Sequence, residues 1–248
     1  MALVAALAAC SGSLSPLSNR LAIGEEAYVV FVADVPDGAG ELFAAPAAGG
    51  AAWQFTFTRL DERLPALSPD GGLVAFVRAR GRGDTAGLAV WVMNLLNGAE
   101  RRLTEVEGLV PDRLAWSRDG GTVYIHTPAG VFGVPAPPGR GPAVRLSGGA
   151  ALGADSALMV LLGDPPVARA APCRGSAGLC AVTADGGESV LAADGRDPVR
   201  WGADSVAYLA AGGLVVRPLA GGLTRTVRWA RGLAAPRQPT YFPGKARR

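Results

Sequence analysis

Apolar residues in this chain fall in short runs separated by glycine- and acid-bearing turns, and the arrangement recurs along its length. It is clearest between Leu64 and Thr104. Leu64-Pro65-Ala66-Leu67 is short and apolar, and Ser68-Pro69-Asp70-Gly71-Gly72 has the chemistry of a turn. Proline presets φ, the aspartate side chain accepts from nearby backbone N–H groups, and glycine tolerates positive φ. Leu73-Val74-Ala75-Phe76-Val77 reads as a buried strand, Arg78 to Gly87 as a polar loop, and Leu88 to Met93 as a third strand. Leu96-Asn97-Gly98 then closes a hairpin onto Arg101-Arg102-Leu103-Thr104. Four short strands joined as a meander make one propeller blade.

The turn carries a phrase that occurs five times: a bulky apolar residue, Ser or Gly, any residue, then an acid. The copies are Ile23-Gly24-Glu25-Glu26, Leu67-Ser68-Pro69-Asp70, Trp116-Ser117-Arg118-Asp119, Leu152-Gly153-Ala154-Asp155 and Trp201-Gly202-Ala203-Asp204, with acids 36 to 49 residues apart. A period of this length built from strands predicts a propeller, since solenoid repeats of similar length are helical. The second strands of the other units are expected at Tyr28–Val32, Val123–Ile125, Leu158–Leu162 and Val206–Leu209. No segment after the first ten residues sustains a 3.6-residue apolar period, so very little helix is expected. A β-sandwich also strings short strands together, but it does not need one phrase five times. The expected fold is an all-β propeller of five four-stranded blades over 21–235. A sixth blade forms if segment 11–20 pairs with Gln238–Phe242.

Leu67-Ser68-Pro69-Asp70-Gly71 with Ala75-Phe76-Val77, Val90-Trp91-Val92-Met93, Asn97-Gly98 and Arg102-Leu103-Thr104 resembles the TolB-type propeller repeat, and Trp116-Ser117-Arg118-Asp119-Gly120 matches it nearly as well. The likeness is specific over 64–124 and degenerate elsewhere. It implies a propeller and an envelope setting, and does not carry over that family's partners. The family also implies a separate N-terminal α/β domain, which is not expected within these 248 residues.

The first residues change the picture of location. Ala2 to Ala9 is an apolar run too short to span a bilayer. It ends in Leu7-Ala8-Ala9-Cys10, which looks like a bacterial lipobox followed by the small polar run Ser11-Gly12-Ser13. That resemblance implies cleavage before Cys10 and acylation of its thiol and new amino group. The expected organisation is therefore a signal over 1–9, a lipidated tether over 10–20, the propeller, and a basic tail or closing strand over 236–248. One departure is that no Lys or Arg precedes the apolar run, where a secretory leader is positive. The alternative for the same run is an apolar first strand.

Setting Cys10 aside leaves Cys173 and Cys180, separated by a glycine-bearing turn that can bring two Cα atoms within disulfide reach. An oxidising compartment favours the bridge; two free thiols or half of a metal site are the alternatives. His126 is the only histidine, so zinc would lack ligands, and no metal or cofactor is expected.

The sequence offers no recognisable catalytic grouping. There is no Gly-x-Ser-x-Gly elbow, and Gly175-Ser176-Ala177-Gly178 reads as the tip of the cysteine loop. His126 reads as an edge-strand or loop residue. Asp70, Asp119, Asp155 and Asp204 sit in equivalent turns, which argues for local backbone bonding rather than acid–base work. No catalytic residue is assigned.

Net charge of +3 gives no case for nucleic acid, but its distribution is uneven. Residues 205–248 hold eight basic residues and no acid: Arg217, Arg225, Arg228, Arg231, Arg237, Lys245, Arg247 and Arg248. These form either a solvated last blade and tail or a patch facing an anionic envelope component. The expected function is that of a monomeric, non-catalytic scaffold, lipid-anchored in the bacterial envelope and presenting loops to an envelope protein. The alternatives are a propeller binding a small molecule in its channel and a hydrolase or lyase at the channel mouth.

Overall fold

A computed structural model describes residues 20–36, 38–85, 87–105, 110–146, 160–163, 167–229 and 233–245. Those residues form five four-stranded antiparallel sheets and no helix. Blade II shows the plan. Its innermost strand β4 (Asp61–Leu67) pairs with β5 (Leu73–Ala79), then β6 (Ala89–Asn94), then the outer β7 (Glu100–Glu105). Blade III repeats it with β8 (Arg113–Trp116), β9 (Thr122–Thr127), β10 (Gly130–Pro135) and β11 (Val144–Arg145). Blade V comprises β16 (Arg196–Trp201), β17 (Ser205–Ala210), β18 (Gly213–Pro218) and β19 (Arg225–Val227).

Blade I is built from both ends of the described chain. β1 (Tyr28–Asp34), β2 (Gly40–Pro46) and β3 (Trp53–Gln54) supply three strands, and β20 (Ala234–Phe242) is the innermost. Gln238–Phe242 therefore does not start a sixth blade. Tyr28 pairs with Phe242 and Val30 with Thr240, so the segment closes the ring by completing blade I. This removes the open inner edge that β1 would otherwise present.

Blade IV corrects the expected register. It consists of β12 (Val160–Leu162), β13 (Ala168–Pro172), β14 (Leu179–Thr183) and β15 (Glu188–Ala192). The apolar run ending at Leu162 is thus the innermost strand, not the second. The turn equivalent to Ser68–Gly72 lies after Leu162, whereas Leu152–Asp155 lies before β12 and outside the described residues. Cys173 and Cys180 are joined by a disulfide across the β13–β14 hairpin, with Cα atoms 5.0 Å apart.

Side chains alternate across each strand, so a central strand feeds two seams. On β1, Tyr28, Val30 and Val32 pack with Val74 and Phe76 of blade II, while Val29, Phe31 and Ala33 pack with Ala207 and Leu209 of blade V. Val77 and Val90 join blade II to Leu114 and Ile125 of blade III, and Leu162 and Leu179 join blade IV to Val206 and Tyr208 of blade V. Among the described residues no such apolar cluster joins blades III and IV.

The repeated turn works as its chemistry suggests in blades II and III. Ser68 Oγ donates to Asp70 Oδ1 (2.6 Å), the same oxygen accepts from Gly72 N–H (3.0 Å), and Leu73 N–H donates to Ser68 Oγ (2.9 Å). Ser117, Asp119, Gly121 and Thr122 repeat these bonds at 2.6, 3.0 and 2.9 Å. Burial pushes Asp70 upward, but these hydrogen bonds hold it below its ordinary value. Asp204 differs, because Gly202 supplies no hydroxyl; among the described residues its carboxylate accepts from Ser205 Oγ, at 3.1 Å. Asp70→Ala is expected to cost about 1 kcal/mol of stability, and Asp119→Ala, at an exposed turn, and Asp204→Ala less. Urea denaturation midpoints check this, and equal losses at all three positions would contradict it.

Candidate functional site

The innermost strands of all five blades enclose a central cavity of about 660 Å³. Its wall includes Leu64-Pro65-Ala66 of β4, Pro111 to Leu114 at β8, Leu161 of β12, Asp197 to Arg200 of β16 and Gln238-Pro239-Thr240 of β20. Three of these strands share one backbone device. Leu64, Asp197 and Gln238 each precede a proline and each has positive φ, at 52°, 49° and 51°. The pairing register slips at the same places, between Arg63 and Ala66 and between Arg196 and Val199, with a matching shift where β20 meets β1. Non-glycine residues in this region cost on the order of 1–3 kcal/mol each and persist only where their surroundings hold them.

The neighbouring blade provides that hold. Leu64 N–H donates to Gln238 Oε1 at 2.9 Å, and Gln238 N–H donates to Asp197 Oδ2 at 3.2 Å. Bulges release backbone donors toward the channel, and side chains from the adjacent innermost strand accept them. The chain of clasps runs from blade V through blade I to blade II. Residue-pair chemistry in the sequence carried this signal, since Leu64-Pro65, Asp197-Pro198 and Gln238-Pro239 fall at equivalent positions; the repeat reading passed over it.

One mouth of the channel carries a charged rim. Arg237 and Arg82 both bond Asp34, and Arg237 also lies 3.6 Å from Asp61, which holds Arg63 Nε at 2.7 Å. Arg63 Nη2 in turn donates to the carbonyls of Gly81 and Asp84 at 3.0 Å, tying the β5–β6 loop to the rim. Burial pushes Asp34 upward, but the hydrogen bonds from Arg82 and Arg237 hold it below the ordinary carboxylate value. Gly40 makes the approach possible: a Cβ there would lie 2.4 Å from Arg237 Nη2 and 2.8 Å from Asp61 Oδ1. A smaller cavity of about 400 Å³ opens beside these residues and shares Arg63 and Gln238 with the channel.

The expected site residues are scattered with respect to this rim. His126 lies on β9, paired on both sides by β8 and β10, and is buried; it is neither an edge-strand nor a loop residue. Arg113 Nη2 stands 3.3 Å from its Nε2, and burial together with that positive charge pulls His126 down to about 4, so the ring is neutral. Asp70, Asp119 and Asp204 sit at the opposite ends of the innermost strands, away from the rim. Of the eight late basic residues, Arg237 belongs to the rim, Arg225 lies 6.0 Å over the Trp201 ring, and Lys245 pairs with Glu25. Cys10, Asp155, Arg231, Arg247 and Arg248 lie outside the described residues.

No protein-family model matches the chain, and no curated protein matches it in sequence. Solved structures do. TolB from Acinetobacter baumannii superposes with a TM-score of 0.54 at 15% identity, covering 94% of this chain and 68% of that one. Nidogen, from its complex with laminin, gives a TM-score of 0.45 at 13% identity over 88% of this chain and 82% of the other. At these identities the similarity establishes a TolB-like propeller fold and no shared activity.

Proposed function

We propose that this chain is a monomeric, non-catalytic binding scaffold, held on a bacterial envelope membrane by acylated Cys10, that presents its channel rim to an envelope protein in the periplasm or exterior. The observation that carries this reading is the placement of the chain ends. Ile23 packs with Leu95 beside the β6–β7 hairpin, a Cβ on Gly24 would lie 3.2 Å from Asp70 O, and Lys245 pairs with Glu25. Both ends of the described chain therefore leave beside the repeated turns. Asp34 of the rim sits at the far end of the seven-residue β1, about 20 Å away at strand rise. A tether at residues 10–20 would point the rim away from the membrane. The charged rim is also suited to a polar partner, since Arg82 remains 56% exposed despite its bond to Asp34.

The test places a photocrosslinking amino acid at Arg82 or at Leu223, a 95% exposed hairpin tip on the tether side, in cells making the lipoprotein. Cross-linked protein species are expected from position 82 and not from 223. Cys10→Ser is expected to abolish fatty-acid labelling and membrane fractionation. Cross-links from 223 alone would reverse the assignment of faces, and unchanged labelling of Cys10→Ser would remove the anchor.

A further inference from the structure

The connector from β3 to β4 and the loop from β5 to β6 meet at the rim end of blade II. Asp61 of the rim opens β4 and pairs with Ala79, the last residue of β5, so Leu60 and Arg80 continue from neighbouring positions. The connector is fixed to blade I along its length. Phe55 N–H donates to Leu42 O at 3.0 Å, Leu42 N–H donates to Thr56 Oγ1 at 2.7 Å, and Gln54 Nε2 donates to Thr56 O at 2.8 Å. Glu41, only 1% exposed, then accepts from both Thr58 N–H and Arg59 N–H, and this buried carboxylate holds Arg59 at a φ of 58°. Left-handed backbone at a non-glycine residue persists only where its surroundings enforce it, and such residues gather at functional sites.

The fixed backbone turns two side chains outward. Phe55 and Thr56 are buried, whereas Phe57 is 56% exposed and Arg59 is exposed. Arg80 is exposed as well, and its loop is anchored by Arg82 on Asp34 and by Arg63 on the carbonyls of Gly81 and Asp84. Among the described residues neither the Arg59 nor the Arg80 guanidinium has a hydrogen bond or an ion pair, and Asp84, the exposed acid of the same loop, pairs with neither. We infer that Phe57, Arg59 and Arg80 form the docking site for an acidic segment of a partner protein, its carboxylates on the two guanidiniums and an apolar side chain against the Phe57 ring. This names the chemistry of the partner proposed for the rim and rests on that reading for its cellular occupant. Aromatic and arginine side chains are enriched in protein interfaces. A planar guanidinium takes a carboxylate through paired N–H···O bonds. Backbone locked before binding spares part of the ordering entropy that an interface otherwise costs. A lipid surface fits less well, because one aromatic ring is far short of the apolar face by which a protein lies in a bilayer interface.

The probe is a random dodecapeptide library displayed on phage and panned against the purified wild-type protein. Selected peptides are expected to carry acidic residues next to apolar ones. Calorimetry on the synthetic peptides should show affinity falling at least about tenfold in Arg59→Glu/Arg80→Glu, since like charges across an interface repel, and severalfold in Phe57→Ser. Arg118→Glu/Arg140→Glu, on the turn side of blade III, should bind as wild type does. Each variant is checked for an intact thermal transition. Where a double variant unfolds, Arg59→Gln and Arg80→Gln decide singly, each expected to weaken binding severalfold. Selected peptides without acids overturn the inference, as does equal loss in the two double variants or affinity unmoved in all of them. Failure to select any peptide overturns it too. So does binding to phosphatidylglycerol vesicles, abolished by Arg59→Glu/Arg80→Glu, with no peptide selected; that outcome would assign the patch to a membrane. The panning needs neither the lipid anchor nor the cellular partner. Cross-links from position 223 alone, with the peptide result intact, would therefore remove the rim reading and leave the chemistry of the patch standing.

Discussion

A chain ending at Leu233 is expected not to fold, although it keeps the three strands of blade I that lie near the N-terminus. β20 is the innermost strand of that blade and the closure of the ring, so its loss exposes the inner edge of β1 and opens the channel wall. It also removes Phe242, which is 4% exposed and packs 5.5 Å from the Tyr28 ring. Gly71 has no room for a side chain because of this ring: a Cβ there would stand 2.8 Å from Phe242, and φ is +71°. Tyr28 Oη donates to the Gly71 carbonyl, so Phe242, Tyr28 and the blade II turn form one unit. Phe242→Ala in the full chain is expected to cost about 3–5 kcal/mol, the usual range for emptying a buried aromatic site. Circular dichroism and urea denaturation test both. A cooperative thermal transition in the truncated chain at the wild-type temperature would show that β20 is not the closing strand.

How far the sequence reveals this architecture depends on how local each device is. Ser68-Pro69-Asp70-Gly71-Gly72 is legible because its three hydrogen bonds join residues within five positions of one another. Blades II and III could be read strand by strand for that reason. Blade IV is offset by one strand from its expected register because a short apolar run such as Leu158–Leu162 carries no mark of its place in the meander, and Val160–Leu162 proves to be the innermost strand. The partner of β1 lies some 200 residues away; nothing in Gln238–Phe242 alone distinguishes completing blade I from starting a sixth. The rim is the extreme case, with Asp34 and Arg237 bonded across 203 positions. Only the ring-closing topology brings them together.

Stability is expected to be level between about pH 4.5 and 6.5 and then to fall as the solution becomes alkaline, because of a buried carboxyl pair between blades I and II. Glu62 is pushed up to about 8, first by burial and then by the neighbouring Glu41 carboxyl. Glu62 Oε1 meets Arg78 Nε at 2.8 Å, and Arg78 is bound on its other side by Glu100 at 2.7 Å. Arg78 already faces the Glu100 carboxylate, and Glu62 keeps its proton through neutral pH. Glu41 Oε1 accepts from Thr58 N–H and Arg59 N–H at 2.9 and 3.1 Å, while its Oε2 is buried without a protein hydrogen-bond partner. A carboxyl raised on folding contributes stability that is complete below its unfolded value of 4.5 and is lost up to about 8. His126 acts in the opposite sense: lowered from 6.5 to about 4, it contributes stability that grows across that interval. The two cancel where they overlap, so the Glu62 loss emerges alone between 6.5 and 8. That window is worth about 2 kcal/mol at ~1.36 kcal/mol per unit. Below about pH 4 stability falls again, as Asp34 and Asp70, both lowered in the folded state, take up protons. Glu41→Gln keeps a carbonyl oxygen for Thr58 and Arg59 and offers an amide N–H to ionised Glu62. It is expected to shrink the alkaline decline without abolishing it, because burial still raises Glu62. Glu62→Gln keeps a carbonyl oxygen for Arg78 Nε and has no proton to lose, and is expected to abolish the alkaline decline. Urea denaturation of the three proteins at pH 5.5, 6.5 and 8 measures the effect. A wild-type protein equally stable at pH 6.5 and 8 would mean that Glu62 does not hold its proton through neutral pH.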